Sequence, residues 1–215
     1  RITSFTNPRM LIEEEVRRGA TTVVIVGNDE TLGRVLARTA DLQITFGFIP
    51  VGPQNTLAHV LGIPAGVEAV PVLSRRTVEK IDAGVVNGKF FLSRISIPES
   101  NVVVECDGRY AVASEGMKVA VEICNLLGPS WSEEGRLHPQ DGMLEAYIRP
   151  TGKGMSGFFR RTFSRESVFP VRTMVVRSRE PIAVYVDDRM SKETILEISL
   201  ARKRLKMITG KERKF

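Results

Sequence analysis

Apolar and polar positions follow two different rhythms along this chain, and the change falls near residue 80. Before it, Leu11, Ile12 and Val16 recur at helical spacing behind Thr6-Asn7-Pro8. A capping side chain followed by proline suits a helix start, so a helix is predicted from there to about Gly19. Thr21 to Val26 is an unbroken β-branched run, the pattern of a strand buried on both faces of a parallel sheet. After the polar turn Gly27-Asn28-Asp29-Glu30, an amphipathic helix carries Leu32, Val35, Leu36 and Thr39 on one face. Ile44 to Ile49 reads as a second buried strand ended by Pro50-Val51-Gly52-Pro53, and Asn55 to Leu61 as a short helix closed by Gly62. Strand and helix alternating in this way predict an open α/β unit.

From Lys80 onward the period shortens to two. Strands are predicted over Ile81 to Val86, Lys89 to Ile97, Val102 to Glu105, Tyr110 to Ala113, Met117 to Cys124, Met143 to Ile148, Phe169 to Arg177 and Ile182 to Val186. Asn87-Gly88 and Asp107-Gly108 are two-residue hairpin signals. The expected organisation is therefore α/β plus all-β: an open α/β domain over residues 1–79, an antiparallel β-sandwich over 80–200, and a basic segment, 201–215. That segment either returns to the first domain or ends in a solvated tail, the reading preferred for its last five residues. The glycine-rich, basic stretch Thr151 to Ser164 reads as a loop.

Composition narrows the function. The chain has 215 residues, 42% of them hydrophobic and 26% charged, the profile of an ordinary globular protein. Its apolar runs fall far short of the ~20 residues a membrane-spanning helix needs, and no secretion signal is visible. Two cysteines and two histidines give neither a disulfide framework nor a zinc cage. Cys106 and Cys124 read as core residues, Trp131 as a loop anchor, Asn125 as a turn former, and His59 and His138 as surface or packing residues. A cytoplasmic setting is expected. Net charge is +6, with the excess late in the chain; such a surface attracts anionic lipid or nucleic acid. No aromatic-interleaved RNA-binding pattern accompanies it, so nucleic acid is not expected. Phe158-Phe159-Arg160-Arg161 suits a water–lipid boundary or a plain strand edge, so peripheral attachment at the membrane inner face is an option. A homodimer is equally open.

Three loops carry candidate chemistry. Gly27-Asn28-Asp29-Glu30-Thr31 joins a strand to a helix, where unpaired N–H groups attract phosphate, or where Asp29 and Thr31 serve simply as caps. Pro50-Val51-Gly52-Pro53-Gln54-Asn55 also ends a strand and opens a helix, so the two loops would flank one crevice. Asp187-Asp188-Arg189 closes a late strand with adjacent acids, either a base and metal ligand or a solvated hairpin turn.

In their order these segments resemble the catalytic region of the diacylglycerol kinase family. The family's GGDGT-L-N-E is matched by Gly27-Asn28-Asp29-Glu30-Thr31-Leu32-Gly33-Arg34, and its I-P-x-G-T-x-N by Ile49-Pro50-Val51-Gly52-Pro53-Gln54-Asn55. Leu61-Gly62-Ile63-Pro64, Ile81-Asp82-Ala83-Gly84, Asp141-Gly142 and Asp187-Asp188-Arg189, the last in place of D-G-E, follow in register. The resemblance implies phosphoryl transfer from ATP, with magnesium, to a lipid hydroxyl. Gly27, Asn28, Asp29, Thr31, Gly52 and Asn55 would bind the nucleotide, with Gly27 letting the backbone approach the phosphates. Asp141 would hold a magnesium, and Asp187 would be the catalytic base.

The matches break at working positions. Asn28 and Glu30 replace glycines; a left-handed φ at Glu30 would cost about 1–2 kcal/mol, and its charge would repel a polyphosphate. Pro53 removes a hydroxyl and a donor, Arg189 replaces a glutamate, and Gly33 an asparagine. The family's opening strand and N-P-x-S-G loop have no match: the α/β domain is abbreviated, or that part lies before Arg1. The expected protein is a lipid kinase with a degraded phosphate site. The alternatives are a non-catalytic lipid- or nucleotide-binding regulator of the same fold, or a kinase of a soluble substrate.

Overall fold

The computed structural model describes residues 7–113, 118–131, 138–151 and 166–215. Helix α1 (Pro8–Arg17) starts where the Asn-Pro pair places it, with the Asn7 side chain accepting from Arg9 N. Strand β1 (Thr22–Gly27), helix α2 (Asp29–Thr39), strand β2 (Thr45–Pro50) and helix α3 (Thr56–Val60) follow. β1 and β2 run parallel, from Thr22 opposite Thr45 to Gly27 opposite Pro50. A 3₁₀ turn (Gly66–Ala69) and helix α4 (Val70–Arg75) occupy a stretch whose hydrophobic spacing is too short to announce a helix.

The remainder is strand: β3 (Val78–Val86), β4 (Lys89–Phe91), β5 (Arg94–Ser100), β6 (Val103–Cys106), β7 (Tyr110–Ala113), β8 (Val119–Cys124), β9 (Leu144–Pro150), β10 (Ser167–Val171), β11 (Thr173–Val186) and β12 (Arg189–Ile208). They join β1 and β2 in one mixed sheet whose main path is β1-β2-β12-β11-β5-β8-β9-β10. The chain is thus α/β at its start and β-rich beyond, the fold class the two rhythms predict.

Three differences have physical causes. The run Lys89–Ile97 is not one strand; it breaks at Leu92-Ser93, whose N–H groups both turn to the Asp187 carboxylate. β12 runs 20 residues, mostly through sequence with no predicted element, because its alternation is interrupted by Arg202-Lys203-Arg204. A register shift lies there between Ala201 and Leu205, and Lys203 takes a left-handed φ of 48°. The last five residues are not a solvated tail. Lys214 N donates to Val60 O, Arg213 pairs with Glu79 at 2.8 Å, and Phe215 packs on the first core.

Two cores result. One gathers Leu32, Leu36, Phe46, Phe48, Leu57 and Leu61 with Ile81, Leu205, Met207 and Ile208; the other gathers Val86, Ile95, Val121, Ile123, Val184, Leu196 and Ile198. β3 and β12 contribute to both, so a boundary at residue 79/80 falls inside β3 and one at 200/201 inside β12. Cys106 and Cys124 are buried, and burial pushes both thiols above their usual range. Trp131 packs on Cys124 and Tyr147 with the Arg149 guanidinium 4.4 Å from its ring. Phe158-Phe159-Arg160-Arg161 lies outside the described residues, as does nearly all of Thr151–Ser164. Among the described residues, no helix is long and apolar enough to cross a membrane.

Candidate active site

The first two candidate loops are stitched into one wall. Val51 N donates to Gly27 O at 2.7 Å, Asp29 N donates to Gln54 O at 3.1 Å, and the Asp29 Oδ2 accepts from Leu57 N at 3.0 Å. Asp29 therefore opens α2 with its backbone and caps α3 with its side chain. Its other oxygen, Oδ1, is buried with no hydrogen-bond partner in the protein. Burial raises the Asp29 pKa; the α3 N–H groups oppose the rise and the charge of Asp188 adds to it.

Asn28 is the N-cap of α2, in extended backbone (φ −104°), and its Oδ1 accepts from Thr31 N at 3.1 Å and Thr31 Oγ1 at 3.0 Å. Of the donors that make a helix start attractive to phosphate, Thr31 N and Asp29 N are thus already engaged. Gly27 is small for an internal reason: a Cβ there would stand 2.6 Å from Thr31 Cβ. Glu30 sits exposed in the first turn of α2 and is not among the residues with positive φ, so the anticipated strain is absent. An acid in a first helical turn interacts favourably with the helix dipole instead.

In the second loop, left-handed backbone falls at Gly52 (φ 82°) and Gln54 (φ 62°), on either side of Pro53. Asn55 Nδ2 donates to Gly52 O at 2.7 Å, while its Oδ1 is buried without a partner. Asp29 and Asn55 thus each leave one unsatisfied oxygen in the joined loops.

The third loop is the two-residue hairpin between β11 and β12, with Val186 opposite Arg189 and both Asp187 (φ 45°) and Asp188 (φ 63°) left-handed. Asp187 is buried and accepts from Leu92 N, Ser93 N and Ser93 Oγ. Desolvation raises its pKa, against those donors and the charge of Arg189. The turn rests on α2: a Cβ added to Gly33 would lie 3.3 Å from the Asp187 Oδ2. Asp29 and Gly33 are four residues apart on one helix face, so the acidic turn and the stitched loops meet across α2.

Asp141 is held elsewhere. It is exposed, its Oδ1 accepts from Met143 N at 2.9 Å, and its loop is fixed by Asp82, which accepts from Gly142 N and donates its own N–H to Pro139 O. Among the described residues no group of three or more His, Cys, Asp or Glu side chains forms a cation-sized cluster. An open cavity of about 330 Å³ lined by Asn7, Arg9, Ala37, Arg38, Asp41, Gly88 and Phe90 lies at the opposite end of α2 from Asp29.

Sequence reasoning missed the supports of this site. Ser93 carries no motif. Asn125, taken for a turn former, is 1% exposed; its Nδ2 donates to Asp82 O and Leu92 O, and its backbone N to Ser93 O. An amide directly after the predicted strand Met117 to Cys124 is the one available signal.

Residues 3–86 match the model of the diacylglycerol kinase catalytic domain. A probable YegS-like lipid kinase of Pseudomonas aeruginosa is 28% identical over 209 residues, covering 80% of this chain and 68% of that protein. A diacylglycerol kinase of Bacillus subtilis is 35% identical over 75 residues, 33% of this chain and 25% of its own. The crystal structure of a diacylglycerol kinase from Bacillus anthracis superposes with a TM-score of 0.77 at 18% identity, covering 98% of this chain and 84% of the other.

Proposed function

The chain belongs to the diacylglycerol kinase catalytic family, and from that premise we propose that it transfers the γ-phosphoryl group of magnesium-ATP to a lipid hydroxyl, with a weakened hold on the triphosphate. The observation that carries this reading is Asp29: a carboxylate that stitches two loops together yet keeps one buried oxygen without a partner. A magnesium nucleotide suits such a group, because Mg²⁺ is usually held by one or two carboxylates together with phosphate oxygens. When bound, the metal neutralises charge on the phosphoryl oxygens.

The chain's own residues would do the rest. Asp29 would hold the metal through Oδ1, Asn55 would meet the nucleotide through its unsatisfied oxygen, and Gly52 leaves its loop open to approach. Asp141, with neighbouring backbone carbonyls, would hold a second magnesium as in the family. The two-aspartate turn faces α2, where an acceptor hydroxyl would be oriented for transfer; positioning contributes much of such catalysis. The acceptor would be drawn from a membrane surface, to which the basic excess is suited. The hold is weakened because Asn28 already occupies the Thr31 N–H and Glu30 adds a carboxylate at the helix start.

The test is magnesium-dependent ATP turnover with diacylglycerol in mixed micelles. The reading expects slow turnover, abolished in Asp29→Asn and increased in the double variant Asn28→Gly, Glu30→Gly. If neither wild type nor double variant binds magnesium-ATP, the chain is a non-catalytic member of its family.

A further inference from the structure

The two carboxylates of the β11–β12 turn are in opposite situations. Asp187 is 5% exposed, and its oxygens accept from Ser93 N at 2.7 Å, Leu92 N at 3.0 Å and Ser93 Oγ. The Leu92-Ser93 corner that supplies those donors is anchored from behind, where Asn125 donates to Leu92 O at 2.9 Å and to Ser93 O at 2.9 Å. On its remaining side Asp187 abuts Gly33 of α2, and its own N–H donates to Arg94 O. A carboxylate enclosed in this way is suited to fixing a turn and poorly placed to accept a proton from a bulky alcohol.

Asp188 is exposed and occupies the second left-handed position of the turn, φ 63°, where the resembled D-G-E pattern has glycine. Its carboxylate is therefore extra to that pattern. Asp187 rests on Gly33, which shares a helix face with Asp29, and the charge of its neighbour Asp188 reaches the Asp29 carboxylate.

We propose that Asp188 is the catalytic base and that Asp187 is a positioning residue which holds the turn against α2. The assignment rests on the phosphoryl-transfer reading above. In the step it describes, the acceptor O–H gives its proton to the Asp188 carboxylate, and the acceptor oxygen forms a bond to the γ-phosphorus of ATP. The bond from that phosphorus to the β,γ-bridging oxygen breaks, and ADP leaves with the electron pair. The exposed Asp188 then passes the proton to water.

The experiment compares full-length wild type, Asp187→Asn, Asp188→Asn and Asp188→Glu in the micelle assay, with thermal melts of each. Asp188→Asn is expected to lower kcat by ~100-fold or more, the usual scale for losing a general base. Its KM for ATP and its Tm should stay at the wild-type values, and Asp188→Glu should recover part of kcat. Asp187→Asn is expected to lower Tm by several degrees, roughly 2–4 °C per kcal/mol in a chain of this size. Wild-type kcat in Asp188→Asn overturns the assignment while leaving the family activity standing. Wild type that turns over no lipid overturns the phosphoryl-transfer reading and, with it, any base.

Discussion

Asn125 shows how much one amide can organise. It follows a strand whose residues are all buried, and its Nδ2 serves two carbonyls, Asp82 O and Leu92 O, from segments far apart in sequence. Asn125→Ala would leave both carbonyls without that donor, a loss of about 1–3 kcal/mol for buried groups. Urea denaturation should therefore show a lower midpoint with an unchanged m-value. Glu145 offers a different handle. Burial and the charge of Asp141 raise its pKa from 4.5 to about 7. Below pH 4.5 the carboxyl is protonated in both states; between 4.5 and 7 only the folded chain retains the proton, so raising pH across that window favours unfolding. Tm measured at pH 5 and pH 8 should accordingly fall less in Glu145→Gln than in wild type. At this scale the sequence exposed the residues of the loops, since Asn28, Asp29 and the two-aspartate turn stand at element boundaries. It concealed those whose role depends on a distant partner: Ser93 means nothing until Asp187 folds onto it.

Elements were legible in proportion to the continuity of their pattern. β1, α2 and β2 could be placed because a short β-branched or apolar run, or one clean amphipathic face, needs no tertiary information. β12 could not, because a left-handed Lys203 offsets its register midway and the basic residues around it resemble a tail. That bulge is anchored tertiarily: Lys203 N donates to the Asp82 carboxylate. The chain beyond β12 is fixed by a crossing of two glycines. A Cβ on Gly62 would stand 2.6 Å from Arg213 N, and one on Gly210 would overlap the Gly62 carbonyl, while Gly210 N donates to Leu61 O. Gly210→Ala must push the segments apart, at about 1–3 kcal/mol for such overpacking. Hydrogen exchange should then quicken at the amides of Gly210 and Lys214, both bonded to the α3 end, before it changes in β8 or β9.

Across the whole molecule, the change of rhythm near residue 80 located two cores but not what joins them. β3 and β12 pair antiparallel from Val86 opposite Ile198 to Val78 opposite Ile208, passing from the second core into the first. Neither core is closed without them: the first needs Ile81, Leu205, Met207 and Ile208, and the second needs Val86, Leu196 and Ile198. Unfolding one core would release half of each shared strand and expose the interior edge of β2, whose Thr45 and Phe46 pair with Lys206 and Met207. Chains above ~150 residues commonly unfold in stages, yet here the cost of an interface between a folded and an unfolded half falls on the longest strand of the sheet. Calorimetry should therefore show one transition, with calorimetric and van't Hoff enthalpies equal. Two resolved transitions would show instead that the halves are independent and that the acidic turn reaches α2 only as one body docks on another.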